Sequence, residues 1–173
     1  MSAWTVIAHT EVGSGGAANI LFSSIPATYT DLLLVYSGRQ ETSTGASVFI
    51  NPNQLTTNQN TRYLEGDGAT AASGTFARIF TADTPSNATA NTFSNTMIYI
   101  PNYAGSTNKS FSIDSVSENN ATTAYQRISA GLWSVTNAIT SLEIIMSSGD
   151  IQQFSSATLY GITKGSSGGV TVS

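Results

Sequence analysis

The sequence predicts an all-β protein: an antiparallel β-sandwich, jelly-roll-like, of about 8–10 strands. Three observations point there. Short runs in which apolar and polar residues alternate recur along the chain, as in half-buried strands. Gly, Asn, Ser and Pro clusters separate these runs, which is turn chemistry. No convincing helical pattern competes. Tyr125, Ile128 and Leu132 also fit helical spacing, but Gly131 and the Ser/Thr-rich flanks favour a strand.

Trp4 to His9 reads as the first strand, with Trp4, Val6 and Ala8 on one face, and Glu11 to Gly16 as a Gly-rich turn. Ala17 to Ser23 is the second strand. Pro26 restricts itself and Ile25, so 25–29 is a loop. Asp31 opens Leu32 to Tyr36, which is apolar on both faces and belongs in the middle of a sheet. A polar segment from Arg39 to Gly45 precedes a short strand, Ser47 to Ile50, that stops at Asn51-Pro52. Asn53 to Gly74 has little periodicity and reads as a long loop, with Tyr63 and Leu64 pinning its middle. Phe76 to Thr81 is one strand, with Phe76, Arg78 and Phe80 on one side. Ala82 to Thr92 is a second extended polar segment.

Asn95 to Trp133 reads as a three-stranded meander. Met97 to Ile100 ends at Pro101, which has no N–H to give a ladder. Asn102 to Asn108 supplies a turn. Phe111 and Ile113 then alternate with Ser112 and Asp114. After a polar loop from Glu118 to Thr123, Ile128, Ala130 and Leu132 alternate with Arg127, Ser129 and Gly131. The pattern implies one buried face, taken by the apolar set. Ile139 to Met146 alternates again, with Leu142, Ile144 and Met146 on one face, and Ala157 to Ile162 is the last strand. Residues 1–164 thus form one domain, and 165–173 a Gly/Ser-rich tail or contact arm.

At 173 residues the chain can bury roughly 70% of its unfolded surface without staples. It has no cysteine, which excludes disulfides, thiolate metal sites and a thiol nucleophile. Only 9% of residues are charged, against about 25% in an average soluble domain. A neutral surface of Ser, Thr, Asn and Gly suits packing against copies of itself, and equally an ordinary secreted or periplasmic β-domain. The net charge is −4 and the six basic residues are dispersed, so no cationic face for nucleic acid is expected. No signal peptide is visible, and no apolar run approaches the ~20 residues of a membrane span.

The chemistry-bearing residues do not assemble into a catalytic pattern. His9 is the only histidine, and no Gly-x-Ser-x-Gly elbow accompanies it. Glu65-Gly66-Asp67-Gly68 has too few carboxylates for a calcium loop and reads as an acidic turn. Asp114 and Glu118 are a weak candidate for paired carboxylates. Three Asn-x-Ser/Thr sites, at Asn87, Asn108 and Asn120, match the glycosylation pattern by chance in so Asn-rich a chain. No enzyme activity, cofactor or metal is expected. Tyr99, Tyr103, Tyr125, Trp133 and Tyr160 could offer a sugar platform, although most such rings pack in cores. Tyr103, Tyr63 and Asn102 are the candidate contacts for a glycan or a protein partner, because they lie in polar loops.

Several segments resemble tailed-bacteriophage virion proteins. They are Ser24-Ile25-Pro26-Ala27-Thr28-Tyr29-Thr30-Asp31-Leu32, Ala88-Thr89-Ala90-Asn91-Thr92-Phe93, Tyr99-Ile100-Pro101-Asn102-Tyr103, Thr107-Asn108-Lys109-Ser110-Phe111, Glu118-Asn119-Asn120-Ala121-Thr122, Gly131-Leu132-Trp133 and Leu159-Tyr160-Gly161-Ile162. The resemblance runs from Trp4 to about Lys164, to small β-sandwich modules of phages of aquatic bacteria. It implies a virion structural role as a capsid decoration or cement protein, head fibre or tail-fibre module. It carries no catalytic residues. A chain that starts directly at the module is expected to stand alone, and to decorate the capsid as a homotrimer bound to the major capsid protein. Assembly would take place in the host cytoplasm. The alternative expectation is a receptor-binding module for a host-surface glycan.

Overall fold

The computed structural model describes residues 4–43, 47–118 and 124–164. The tail at 165–173, Asn120 and most of the 118–123 loop lie outside the described residues. Among the described residues twelve strands run in chain order: β1 (Trp4–Glu11), β2 (Asn19–Phe22), β3 (Asp31–Ser37), β4 (Val48–Pro52), β5 (Gln59–Gly66), β6 (Ala71–Phe76), β7 (Phe80–Thr81), β8 (Asn95–Ile100), β9 (Lys109–Ser117), β10 (Tyr125–Trp133), β11 (Leu142–Met146) and β12 (Ser156–Ile162). All ladders are antiparallel. One sheet has eight strands in the order β1-β12-β3-β8-β9-β10-β5-β6, and the other four in the order β2-β11-β4-β7.

Eight of these strands make the jelly roll. The chain passes between the sheets so that β1-β12-β3-β8 faces β2-β11-β4-β7, the double Greek-key order of that architecture. The other four, β9, β10, β5 and β6, continue the large sheet past β8 as a wing without a counterpart of equal width. The core between the sheets is aliphatic and aromatic, with Leu34, Tyr36, Ile50, Ile98, Trp133 and Leu159 all fully buried. As expected from its composition, β3 sits mid-sheet between β12 and β8. Leu32, Leu34 and Tyr36 point into the core, while Leu33 is covered on the outer face between its neighbours Tyr160 and Tyr99.

Four local readings change. A bulge at Ile7 shifts the β1–β12 register between Val6 and Ala8. Trp4 and Val6 stay on the outer face, but Ala8 turns inward opposite the buried Leu159. Pro52 does not stop β4: it pairs with Leu142. On its other side β4 meets β7 only at Val48 and Phe49, so the missing N–H costs no ladder bond there. The segment 76–81 is two strands, because the chain leaves the large sheet at Phe76 and enters the small one at Phe80.

The fourth change concerns β10. Its apolar residues Ile128 and Leu132 are 52% and 41% exposed, while Ser129, Gly131 and Trp133 face inward. The reason is room. Phe111 on β9 lies opposite Gly131, and a Cβ there would meet Phe111 Cβ at 3.0 Å and Ile79 Cγ1 at 3.4 Å. The space beneath β10 is already filled by its neighbours' side chains, so its own apolar set faces out.

Candidate functional site

The wing is built on segment 53–74, the predicted long loop, which instead folds as the β5–β6 hairpin. Asp67 closes its turn. Its Oδ1 accepts the N–H of Ala69 at 2.9 Å and of Thr70 at 2.6 Å, and its Oδ2 accepts the Thr70 hydroxyl at 2.9 Å. These bonds hold the carboxyl below its ordinary range. Gly68 takes φ +86°, a conformation glycine adopts without penalty. The Asp-Gly pair was the readable hairpin signal. It was masked because the flanking strands carry Gln59, Thr61 and Glu65 inward in place of an apolar set.

An aromatic cluster seals the wing's inner face. Phe76 packs on Phe80 with centroids 4.7 Å apart, and Phe49 stacks on Phe76 at 5.8 Å. Tyr63 meets Phe80 edge-on at 5.3 Å. Arg127 lies over both the Tyr63 and Phe80 rings, and its Nε donates to Glu65 Oε2 at 2.9 Å. Arg78 covers Phe49 at 3.8 Å. Glu65 and Asp67 therefore serve separate partners and do not converge as a cation site. Among the described residues no three His, Asp or Glu side chains form a metal-binding group. A methyl at Gly74 would meet the Tyr63 hydroxyl at 2.6 Å. Gly74→Ala is expected to push that ring off Phe80 and cost about 1–2 kcal/mol. Urea unfolding followed by tyrosine fluorescence measures it, and an unchanged midpoint would disprove the packing role.

The predicted contact residues fare differently. Tyr103 is fully buried and donates its hydroxyl to the carbonyl of Pro26, so it is not available at the surface. Its ring is drawn under the loop because that carbonyl gives a polar end to an otherwise apolar site. Tyr63 is committed to the aromatic cluster. Asn102 remains exposed at φ +48°, with its backbone N–H held by Asp31 Oδ1 at 2.8 Å. The five aromatics do not form one platform. Trp133 lies in the core, Tyr99 and Tyr160 flank Leu33 on the outer face, and Tyr125 pairs with Ser117 at the start of β10. His9 is exposed on β1, its Nδ1 2.8 Å from the Thr158 hydroxyl. Asp114 accepts a bond from the Gln126 amide at 2.8 Å.

What the wing does assemble is a groove of about 690 Å³ on its outer face. The ladders set its layout. One row across the strands is Asp114, Ile128, Leu64 and Ser73, and the next is Ser112, Ala130, Arg62 and Thr75. Ile128 and Leu64 stand directly opposite one another and are 52% and 57% exposed. Arg62 makes no hydrogen bond or ion pair with the described residues, while Asp114 is steadied by Gln126 at the diagonal corner. Sequence reasoning missed this site because it assigned Ile128 to the core and Arg62 to a loop.

No family model and no curated protein sequence matches the chain.

Proposed function

We propose that the protein is a structural protein of a tailed-bacteriophage virion, a capsid decoration or head-fibre subunit that assembles as a homotrimer against the major capsid protein. The observation that carries the reading is the outer face of β1, β12, β3 and β8. There Trp4, Val6, Met97 and Tyr99 are 53%, 55%, 46% and 38% exposed. They form a broad apolar surface on a chain with 9% charged residues. Large apolar patches of this kind are covered by partners in soluble proteins. The resemblance of the segments from Ser24 to Ile162 supplies the virion setting and the three-fold symmetry. A closed ring of subunits would bury roughly 2,000 Å² or more per obligate interface.

Two experiments test it. Sedimentation equilibrium at low micromolar concentration is expected to give three times the 18.0 kDa subunit mass. Val6→Glu with Met97→Glu is expected to return the monomer. Immunogold electron microscopy of purified particles is expected to label the head; label confined to the tail would refute capsid decoration.

A further inference from the structure

The wing groove adjoins the apolar face of β1, β12, β3 and β8 through the Met97–Asp114 pair, but its lining is its own. Its floor is aliphatic: Ile128, Leu64 and Ala130, side by side on β10 and β5. Its flanks are polar: Ser112 and Asp114 on β9, Ser73 and Thr75 on β6, with Arg62 beside the floor. One carboxylate and one guanidinium make its formal charge zero. They stand in different rows and two strands apart, Asp114 beside Ile128 and Arg62 beside Ala130, without an ion pair between them.

Each feature narrows the occupant. The volume, about 690 Å³, falls within the range of small-ligand sites, roughly 300–1,000 Å³. Strands β9, β10 and β5 are each paired on both sides. An extended peptide lying across these strands could therefore make no main-chain ladder; among the groove's strands only β6, at the end of the sheet, offers an edge, and a peptide added there would lie beside the floor and not on it. A flat apolar protein surface would strip water from Arg62 and Asp114 without replacing it, a cost that desolvated charges impose. A strongly anionic ligand would meet Asp114, and a cationic one Arg62. The lining fits a neutral molecule with an apolar side and a rim of hydroxyls. The guanidinium brings up to five donors. Asp114, held in place by Gln126 at 2.8 Å, keeps acceptor sites open. The Ser and Thr hydroxyls both donate and accept.

We infer that this groove binds a neutral oligosaccharide, with the C–H face of a sugar ring on Ile128 and Leu64 and its hydroxyls shared between Arg62 and Asp114. Of the contacts that sequence alone suggested, Tyr63 borders this groove, while Tyr103 and Asn102 are not part of its lining.

The test uses the full chain on an array of neutral oligosaccharides of the gluco, galacto, manno and N-acetylglucosamine series, with acidic glycans alongside. The strongest binder is then titrated by calorimetry. Arg62→Ala and Asp114→Asn are each expected to weaken binding at least tenfold, and Ile128→Asp to abolish it, while all three keep the wild-type unfolding midpoint. Leu21→Ser, on the outer side of the small sheet, is expected to bind normally. Binding to no neutral member, binding only to acidic glycans, or binding indifferent to all three groove substitutions would each overturn the inference. So would an Ile128→Asp variant that changes the oligomer mass, since the groove would then be a contact between copies. Failure on the array leaves the mass and labelling tests of the virion reading untouched.

Discussion

Replacing Arg39 with methionine is expected to lower the unfolding free energy by about 3–5 kcal/mol, the range for breaking a buried charge-assisted network. Arg39 follows β3 and is 5% exposed. Its Nη1 donates to the carbonyls of Thr89 and Thr92, and its Nη2 to those of Ser86 and Ala88, each at 2.9 Å. One guanidinium thus gathers the whole polar segment 86–92, which has almost no ladder of its own. Methionine fills much the same space but removes a charged donor from four carbonyls, of which Thr89's keeps bonds from the Thr92 hydroxyl and N–H. Lysine is expected to recover little, because a single ammonium cannot present a planar fork to four acceptors. Urea denaturation measures the loss, and limited proteolysis should find new cleavage within 86–92. A methionine variant within about 1 kcal/mol of wild type would show the segment to be held by other means.

The second large effect is a dependence on pH. Asp83 is 7% exposed. Burial pushes its carboxyl up to about 7, against bonds from the Ser94 hydroxyl, the Thr84 N–H and Tyr36 and the pull of Arg39. The Ser94 Oγ lies 2.7 Å from Asp83 Oδ1, and the Tyr36 hydroxyl 3.5 Å from Oδ2. The same burial, with the carboxylate beside it, raises the Tyr36 hydroxyl well above its usual range. The folded carboxyl holds its proton from its ordinary value of 3.8 up to about 7, where the unfolded one has lost it. The folded state therefore binds the extra proton, and stability falls as pH rises through that window. The slope approaches about 1.4 kcal/mol per pH unit for one proton. Wild type is expected to be more stable at pH 5 than at pH 8, and Asp83→Asn to flatten that part of the profile. A wild-type profile flat over this window, or a slope retained in the asparagine variant, would remove Asp83 as its source.

These expectations rest on contacts that sequence reading reaches unevenly. The jelly roll and the meander were legible, since Phe111, Ile113, Leu142 and Ile144 alternate with polar partners and face the core as their pattern requires. The β5–β6 hairpin was not, because its inner residues are Gln59, Thr61, Tyr63 and Glu65: the first two bond the backbone of Leu55, Ile79 and Arg78, Glu65 bonds Arg127, and Tyr63 joins the aromatic cluster. Periodicity also locates the two faces of a strand without saying which is inside. On β10 the apolar face is the outer one, and only the register with Phe111 and the bare Cα of Gly131 decides it. Tyr103 shows the converse. Polar neighbours placed it in solvent, yet a single acceptor at Pro26 draws it inside.

The pairing of β1 with β12 also sets the order in which the molecule can form. Trp4 lies opposite Ile162 and Glu11 opposite Ser156. During synthesis the first strand emerges long before its neighbour, and must wait until nearly the whole domain has been made. The same holds for β2, whose neighbour β11 is also late in the chain. Closing such distant contacts forfeits chain entropy before any packing is gained, so folding belongs to the slow, millisecond-to-second regime of non-local β topologies. The meander β8-β9-β10, whose neighbours are consecutive, can form first and offer its β8 edge to β3, beside which β12 takes its place last. Until then β1 is an unpaired strand that carries Trp4, Val6 and Ile7, a template on which another nascent chain could pair.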